Sequence, residues 1–249
     1  MSEDFCVTNW KSVLILGWGE IGSALGKEIK VRNRNCTLIG TTRSKEKVGT
    51  KEEGHTLVHL EALSEESWGK LEDTLSAKAE NFDAIISTIG ILHNEKGVTP
   101  ERSLKEVNLR TLQEVFAINC FSVPLAARYL EKFLSKESPS AFVFLSAKVG
   151  SIKDNRLGGW YSYRASKAAL NMFVKTLAIE FERKAINTSL LAIHPGTTRS
   201  KLSSPFIKRT QLKVWNPDQT AKHILDTIEK SQPEGSGLFK NWDGTDLEY

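Results

Sequence analysis

The feature that most constrains the fold is the G-x-G-x-x-G stretch at residues 17–22, directly after the apolar run 13–16. The apolar run predicts a buried strand, and the residues after Gly22 have the pattern of a helix. In such a strand–loop–helix unit the glycines permit a tight turn, close approach of a ligand and close packing of the helix against the strand. The free N–H groups at the N-terminus of the helix bind anions. We therefore expect a dinucleotide pyrophosphate here; a glycine-rich turn without a ligand is the alternative. The predicted contacts are Gly17, Gly19, Glu20, Ile21 and Gly22.

Short apolar runs alternate with amphipathic stretches along the whole chain. The predicted strands are 13–16, 37–40, 56–60, 83–87, 141–145, 188–193 and 237–240, and the main predicted helices are 22–31, one from Ser64, 109–134, 160–182 and 217–230. This alternation predicts an α/β fold: a single doubly wound parallel sheet of the Rossmann type, with about seven strands and helices on both faces. No linker, repeat or low-complexity tract interrupts the pattern, so residues 1–249 are expected to form one domain.

Composition and charge argue against several classes of protein. Lys and Arg exceed Asp and Glu by only 34 − 30 = 4, and the basic residues are scattered, which favours neither a nucleic-acid nor a membrane-surface partner. No apolar run approaches the roughly 18 residues of a membrane-spanning helix. The acidic N-terminus does not resemble a secretion signal, and the three cysteines lack paired or metal-ligand spacing. We expect a cytoplasmic protein without a metal centre.

The end of the second predicted strand bears on the choice of dinucleotide. An Asp or Glu at this point would accept a hydrogen bond from a ribose 2′-hydroxyl, but the residues present are Thr42, Arg43 and Ser44. Arg43 can form charge-assisted hydrogen bonds with a 2′-phosphate, and the flanking hydroxyls can add donors. The sequence therefore predicts NADP(H) in preference to NAD(H). The alternative is an arginine that simply solvates a loop.

Tyr163 and Lys167 are four residues apart in a predicted helix, so their side chains lie on the same face. A nearby cation favours the phenolate and lowers the tyrosine pKa from its usual value near 10. Tyr163 is then a candidate proton donor and acceptor near neutral pH. This spacing also arises by chance, so its meaning depends on the surrounding pattern.

Taken together, the glycine loop, the Tyr-x-x-x-Lys pair and the predicted topology resemble the short-chain dehydrogenase/reductase family over almost the whole chain. The stretches 145–152, 158–163, 236–239 and 243–244 look most like the C-factor-type subgroup. The resemblance implies an oxidoreductase that uses NADP(H) on a small carbonyl or alcohol substrate. It also implies a homodimer or homotetramer, because relatives associate through two of the helices.

The resemblance also implies roles for individual residues. Tyr163 would be the general acid and base, Lys167 would bind the nicotinamide ribose and lower the tyrosine pKa, and Asn119 would support a proton-relay water. The loop Pro195, Gly196, Thr197 and Thr198 would contact the carboxamide end of the nicotinamide. The turn Ser87, Thr88, Ile89 and Gly90 would lie under the adenine ribose.

Three departures from the family pattern are visible. The glycine loop is one residue shorter than usual, and the turn at 87–90 lacks the family's two asparagines and alanine. Ala147 stands where the family has its carbonyl-polarising serine. Ser146 is adjacent, but neighbouring strand residues point to opposite faces, so it can serve only if the strand end breaks register; Ser151 is the other local hydroxyl.

Loss of such a donor typically costs on the order of 10²–10³ in rate. The sequence therefore leaves open a second class, a dinucleotide-binding regulatory or signalling protein with weak or lost catalysis. The loops 91–100, 151–160 and 197–215 are expected to choose the substrate, with 197–215 acting as a lid.

Overall fold

The computed structural model describes residues 6–49, 54–78, 81–135, 138–207, 212–231 and 236–249. Its main sheet has seven strands: β1 (Ser12–Leu16), β2 (Thr37–Thr42), β3 (His55–His59), β4 (Ala84–Ser87), β5 (Ser140–Leu145), β6 (Thr188–His194) and β9 (Leu238–Asn241). The strand order is β3-β2-β1-β4-β5-β6-β9, and every neighbouring pair is parallel. The doubly wound parallel sheet predicted from the sequence is confirmed.

The connections between these strands are mainly helical. The helices are α1 (Glu20–Arg32), α2 (Glu65–Ala77), α3 (Leu109–Phe116), α4 (Ser122–Leu130), α5 (Tyr161–Arg183), α6 (Ser204–Ile207) and α7 (Pro217–Glu229). A minor parallel pair, β7 (Thr197–Thr198) with β8 (Val214–Trp215), lies between β6 and α7 in the chain. None of the described helices is both long enough and apolar enough to cross a bilayer.

Successive residues of a strand pack alternately into two separate hydrophobic cores, one on each face of the sheet. On β1, Leu14 and Leu16 pack with residues of α2, α4 and α5, whereas Val13 and Ile15 pack with residues of α1 and α7. This alternation follows from the two-residue period of a strand. Because both faces are covered, the strands are apolar throughout, which is why they read as continuous apolar runs in the sequence.

The prediction of a single uninterrupted helix over 109–134 is wrong in detail. The chain forms α3, a π-helical segment at Ala117–Phe121, α4 and a short 3₁₀ turn at Glu131–Phe133. The π-helical segment carries Asn119, which binds the backbone of Ile91 in the loop after β4. That contact is between distant parts of the chain, so the periodicity of the helix alone cannot reveal it.

Candidate active site

The predicted functional residues gather where the strands β1, β4, β5 and β6 end. The order of the strands reverses between β1 and β4, since β2 and β3 extend the sheet on one side and β5 and β6 on the other. In open α/β sheets this reversal leaves a crevice outside the carboxyl ends of the strands, where ligands bind. The fold therefore places the loops at 17–19, 88–91, 146–151 and 195–198 along one edge.

The glycine loop has a geometry that only glycine permits at two positions. Gly17 has a φ of +91°, and a Cβ added at Gly22 would overlap the Gly17 carbonyl oxygen. A Cβ at Gly19, by contrast, would meet nothing within 4 Å. Gly19 is also the N-cap of α1, with no side chain capping it. The loop thus presents open backbone at a helix N-terminus, which suits a phosphate group.

Two threonines hold this loop in place. The Gly17 amide donates to Thr41 Oγ1 at 2.9 Å, and Thr88 Oγ1 donates to the Gly17 carbonyl at 2.7 Å. The Thr88 amide also donates to the Leu16 carbonyl at 2.8 Å. Thr88 therefore builds the turn beside the glycine loop that the family's asparagines were expected to build.

The other residues of this turn lie on either side of Thr88. Ser87 is the buried last residue of β4, and Ile89 packs against the core. A Cβ at Gly90 would lie 3.5 Å from Lys167 Nζ and 3.4 Å from Asn119 Oδ1. Gly90 thus adjoins the two polar groups of the predicted catalytic set.

Arg43 is exposed just beyond β2, and Thr42 Oγ1 accepts a hydrogen bond from the Ser44 amide at 3.1 Å. The Thr42 hydroxyl therefore shapes the turn that presents Arg43. Arg43 lies at the edge of the sheet that also carries the glycine loop, since Trp18 N, one residue after Gly17, donates to the Thr41 carbonyl at 2.7 Å.

Lys167 is buried within α5, and its ammonium donates to the carbonyl of Leu145 at 2.8 Å. It lies 5.9 Å from the centre of the Tyr163 ring. Burial lowers the pKa of Lys167 to about 8, because a charged ammonium loses hydration there, while the nearby Cys120 opposes this shift. A lysine with this pKa can exchange a proton near neutral pH.

The expected lowering of the Tyr163 pKa is not what the structure shows. Tyr163 is only 9% exposed, and burial raises its pKa above the usual value because the phenolate would be poorly solvated. The ammonium of Lys167 is directed to Leu145 instead. In the protein alone, Tyr163 is therefore a neutral phenol that can donate a proton.

Asn119 is fully buried, and its carboxamide is used in structural contacts. Its Oδ1 accepts from the Ile91 amide at 2.7 Å, and its Nδ2 donates to the Ile91 carbonyl at 2.9 Å and to Ser166 Oγ at 3.1 Å. Both amide hydrogens are therefore taken. Asn119 thus links the loop after β4 to α5, and its support of a proton-relay water stays a prediction.

The structure does not bring Ser146 to the substrate side of the strand. Its hydroxyl donates to Asn171 Oδ1 at 2.6 Å, on the face of β5 that packs against α5. Ala147 instead packs with Tyr163, where the family's serine was expected. Ser151 is buried as well, and its hydroxyl accepts from the Asp154 amide at 3.1 Å. The strand keeps its register, so Ser146 does not replace the missing hydroxyl.

The loop after β6 is anchored by aromatic packing. Gly196 has a φ of +77°, and a Cβ there would lie 3.0 Å from the Trp215 ring. Thr197 and Thr198 form β7, and Thr198 Oγ1 is 2.8 Å from Thr220 Oγ1. The predicted nicotinamide loop 195–198 is thus held against α7.

The predicted lid lies over this edge of the sheet in its described part, whereas residues 208–211 fall outside the described residues. The Lys201 amide donates to the Glu20 carboxylate at 2.7 Å, and the Lys201 carbonyl is 3.0 Å from His93 Nε2. Phe206 stands edge-on to His93 and to Trp160, with ring centres 5.8 and 5.3 Å apart. The segment therefore spans from the glycine loop to the catalytic side.

These contacts define an apolar cluster, hereafter the aromatic cluster. It consists of Leu92, Ala147, Val149, Trp160, Tyr163, Leu202 and Phe206. The ring of Trp160 is edge-on to that of Tyr163, with centres 6.1 Å apart. Among the described residues, no group of three or more His, Cys, Asp or Glu side chains is placed to hold a metal ion.

Glu101 was not singled out in the sequence analysis. This residue of the loop between β4 and α3 is buried next to the first turn of α5. Its carboxylate binds Ser162, 61 residues further along the chain. Phe206 was missed too, except as an unnamed part of the lid. Neither residue belongs to a motif, so their roles emerge only from the folded chain.

Residues 21–230 match the family model described as enoyl-(acyl carrier protein) reductase. This is a model of the short-chain dehydrogenase/reductase family, and the chain belongs to that family. The match shows an oxidoreductase family and leaves the substrate undetermined.

Individual relatives are distant. The 1-hydroxy-2-glutathionyl-2-methyl-3-butene dehydrogenase of Rhodococcus sp. (strain AD45) is 28% identical over 76% of this chain and 78% of its own length. The C-signal protein of Myxococcus xanthus is 27% identical over 65% of this chain and 93% of its own. An NADPH-bound carbonyl reductase from chicken fatty liver superposes with a TM-score of 0.80 at 22% identity, covering 96% of this chain and 94% of that one. That structural likeness concerns the fold alone.

Proposed function

We propose that this chain is an NADP(H)-dependent oxidoreductase that interconverts a small apolar carbonyl compound and its alcohol, with Tyr163 as general acid and base. The observation that carries the proposal is the buried Tyr163–Lys167 pair beside Gly90, at the edge of the sheet that also holds the glycine loop. A nicotinamide dinucleotide, when bound, would supply or accept the hydride.

The residues present suit such a cofactor. The open backbone at Gly19 and the N-terminus of α1 would hold the pyrophosphate, and Arg43 would hold the 2′-phosphate. The turn 87–90 and the loop 195–198 flank the same edge of the sheet and would hold the adenine and nicotinamide ends. Lys167, next to Gly90, would bind the nicotinamide ribose.

The protein's own chemistry is the movement of one proton. A neutral Tyr163 donates its hydroxyl proton to the carbonyl oxygen, so the phenol O–H bond breaks as the alcohol O–H bond forms. The resulting phenolate lies beside Lys167, whose ammonium stabilises it and whose pKa of about 8 suits proton return near neutral pH. The alcohol direction uses the same steps in reverse.

The aromatic cluster indicates the kind of substrate. Trp160, Phe206, Leu202 and Leu92 belong to the same cluster as Tyr163, so a flat apolar substituent in contact with them would gain burial, whereas a carboxylate or phosphate would lose hydration without a partner in the cluster. Ala147 supplies no hydroxyl, which leaves Tyr163 as the principal donor to the carbonyl oxygen. Activated carbonyl compounds, such as aromatic aldehydes or quinones, are the best first candidates.

The choice of cofactor is tested with Arg43→Ala. We expect NADPH affinity to fall by on the order of tenfold or more, because a charge-assisted hydrogen bond is worth about 1.5–3 kcal/mol. NADH affinity should hardly change. Equal losses for both cofactors, measured by fluorescence titration, would refute the assignment.

The mechanism is tested by NADPH consumption over a panel of aldehydes, ketones and quinones, with Tyr163→Phe beside the wild type. The variant should lose on the order of 10³-fold in kcat, within the usual range for a general acid, while still binding NADPH. Wild-type turnover that survives this substitution unchanged would rule the mechanism out.

A second candidate function is dinucleotide-dependent regulation with little turnover. The specific observation in its favour is Ala147, which leaves the aromatic cluster without the usual hydroxyl. Tight NADPH binding with no turnover of any panel member would support this second candidate over the first.

The finer assignments made from the sequence stay proposals. We propose placement in the C-factor-type subgroup, on the stretches 145–152 and 158–163, and a cytoplasmic location. We also propose a homodimer or homotetramer through α3, α4 and α5. Leu109, Met172 and Ile179 of α3 and α5 are exposed, as is Phe121 in the π-helical segment between α3 and α4, a pattern that suits an interface. Light scattering of the purified chain would decide its oligomeric state.

A further inference from the structure

We infer that Glu101 is a positioning residue for Tyr163: its buried carboxylate caps the first turn of α5 and so fixes the catalytic hydroxyl. This inference rests on the proposed function. It concerns a residue that lies 62 positions before Tyr163 in the sequence, in the loop between β4 and α3.

The first turn of α5 has no cap of its own. Its N-cap is Trp160, whose side chain makes no capping hydrogen bond and whose φ of +52° lies in the left-handed region. Gly158 and Gly159, just before it, are left-handed too. The first intrahelical hydrogen bond runs from the Arg164 amide to the Trp160 carbonyl at 2.8 Å. The amides of residues 160–163 therefore need partners from outside the helix.

Glu101 supplies two of these partners. Its carbonyl accepts from the Trp160 amide, and its carboxylate oxygen Oε2 accepts from the Ser162 amide at 3.2 Å and the Ser162 hydroxyl at 3.0 Å. Glu101 is only 2% exposed, so these bonds are shielded from water. A carboxylate at a helix N-terminus also interacts favourably with the helix dipole.

The second carboxylate oxygen, Oε1, is buried with no hydrogen-bond partner among the described residues. Leaving an acceptor unpaired is unfavourable, and it is tolerated where the surrounding structure fixes the group. The burial of Glu101 is therefore not explained by satisfying the carboxylate itself. It is explained by what the carboxylate does for residues 160–162.

Tyr163 directly follows the capped residue Ser162, whereas Lys167 is one turn further on and has its own anchor at the Leu145 carbonyl. Fraying of the first turn would therefore displace the phenol and the Trp160 ring that packs against it more than the lysine. A displacement of about 1 Å at a reacting group can cost on the order of 10²-fold in rate. The glycine loop lies on a different element and should be unaffected.

The test compares Glu101→Ala with a control from the same loop. Glu106 Oε2 also accepts from a backbone amide, that of Arg102, at 2.9 Å, but on the exposed side. We expect Glu101→Ala to lower kcat on the order of 10²-fold with nearly unchanged NADPH affinity. Glu106→Ala should keep wild-type kcat. Glu101→Gln, whose amide oxygen can accept the same bonds, should restore most of the lost rate.

Amide hydrogen exchange gives a readout that does not depend on turnover. In the protein without cofactor, Glu101→Ala should speed exchange at residues 160 and 162, while the second half of α5 stays protected. A Glu101→Ala variant with wild-type kcat and wild-type exchange overturns the inference. Faster exchange with unchanged kcat also overturns it, because Glu101 would then serve stability only.

Ser162→Ala covers the case in which Glu101→Ala does not fold. It removes the hydroxyl bond to Oε2 and leaves the buried carboxylate in place. We expect a smaller loss of kcat with retained NADPH affinity, and unchanged kcat would count against the inference. If the wild type turns over no carbonyl compound, the proposed function fails, while the exchange experiment still reports whether Glu101 holds the first turn.

Discussion

The two halves of the ligand-binding edge are built in different ways. At the glycine loop, the shape of the backbone is set by glycines close together in the sequence, as the fit between Gly17 and Gly22 shows, and two threonine side chains from elsewhere in the chain anchor it. On the catalytic side, the position of the reacting groups is set by buried polar side chains, such as Lys167 bonded to Leu145 and Asn119 bonded to Ile91. The shape of the first half therefore has a local sequence pattern, whereas the second half depends on tertiary contacts alone.

This difference has a chemical consequence. A phosphate needs exposed amides, and a short loop supplies them without burying any titratable group. Proton transfer needs groups with shifted pKa values, and burial provides these for Tyr163 and Lys167 in opposite directions. Proton transfer therefore depends on how the residues of the catalytic half are buried. Substitutions in this half should change the rate more than substitutions in the glycine loop.

The largest effect that we expect on the catalytic side is an increase in kcat. Ala147→Ser should place a hydroxyl in the aromatic cluster next to Tyr163, and we expect kcat to rise by on the order of 10²-fold, because one oxyanion donor usually contributes this much to the rate. Steady-state kinetics with the best carbonyl substrate measures the change.

The matched control is Ser146→Ala, on the opposite face of the same strand. It removes the hydrogen bond to Asn171 and should lower the free energy of unfolding by about 1 kcal/mol without changing kcat. If Ser146→Ala abolished turnover and Ala147→Ser changed nothing, Ser146 would be the donor after all, and the strand would break register on binding substrate.

The same contrast explains what could be predicted from the sequence. The strands of the parallel sheet and the glycine loop follow from patterns within short stretches, because apolar runs and glycine spacing are local properties. The last strand was also predicted, at 237–240 against Leu238–Asn241 in the structure. The predicted starts of α1 and β3 differ from the observed starts by two residues and one residue.

The catalytic half was predicted less completely for a physical reason. The residue types were found, but the partners of Asn119 and Ser146 lie 28 and 25 residues away, and no local pattern encodes them. The Tyr163 pKa was assigned from the lysine alone, whereas its burial raises it. Glu101 was not found at all, since a single glutamate in a loop carries no signal.

The next effect concerns the glycine loop. Gly22→Ala should cost about 1–3 kcal/mol in the free energy of unfolding, because its Cβ would overlap the Gly17 carbonyl oxygen and force the loop to move. Gly19→Ala should leave stability nearly unchanged and weaken NADPH, since its Cβ projects into open space where backbone would meet the phosphate. Thermal unfolding and fluorescence titration separate the two outcomes. Equal destabilisation by both substitutions would contradict the local, backbone-determined geometry of this half.

The most gradual effect is a pH dependence of stability that belongs to the catalytic half. Lys167 has a pKa lowered to about 8 in the folded protein, against 10.5 as its ordinary value. Below pH 8 the lysine is protonated in both the folded and the unfolded state, and the cost of burying its charge is complete. Between the two values the lysine of the unfolded chain binds more protons, so Lys167 contributes a rise of stability with pH, by up to about 1 kcal/mol per unit.

Lys167→Met should lack this contribution. The titrations of Tyr163 and Cys120, whose raised pKa values lower the stability as pH rises, are present in both proteins, so the difference between wild type and variant isolates the lysine. Denaturant unfolding at several pH values across that window measures the free energy of unfolding of both proteins. If the two curves of this free energy against pH are parallel, the pKa of Lys167 is not lowered in the folded protein.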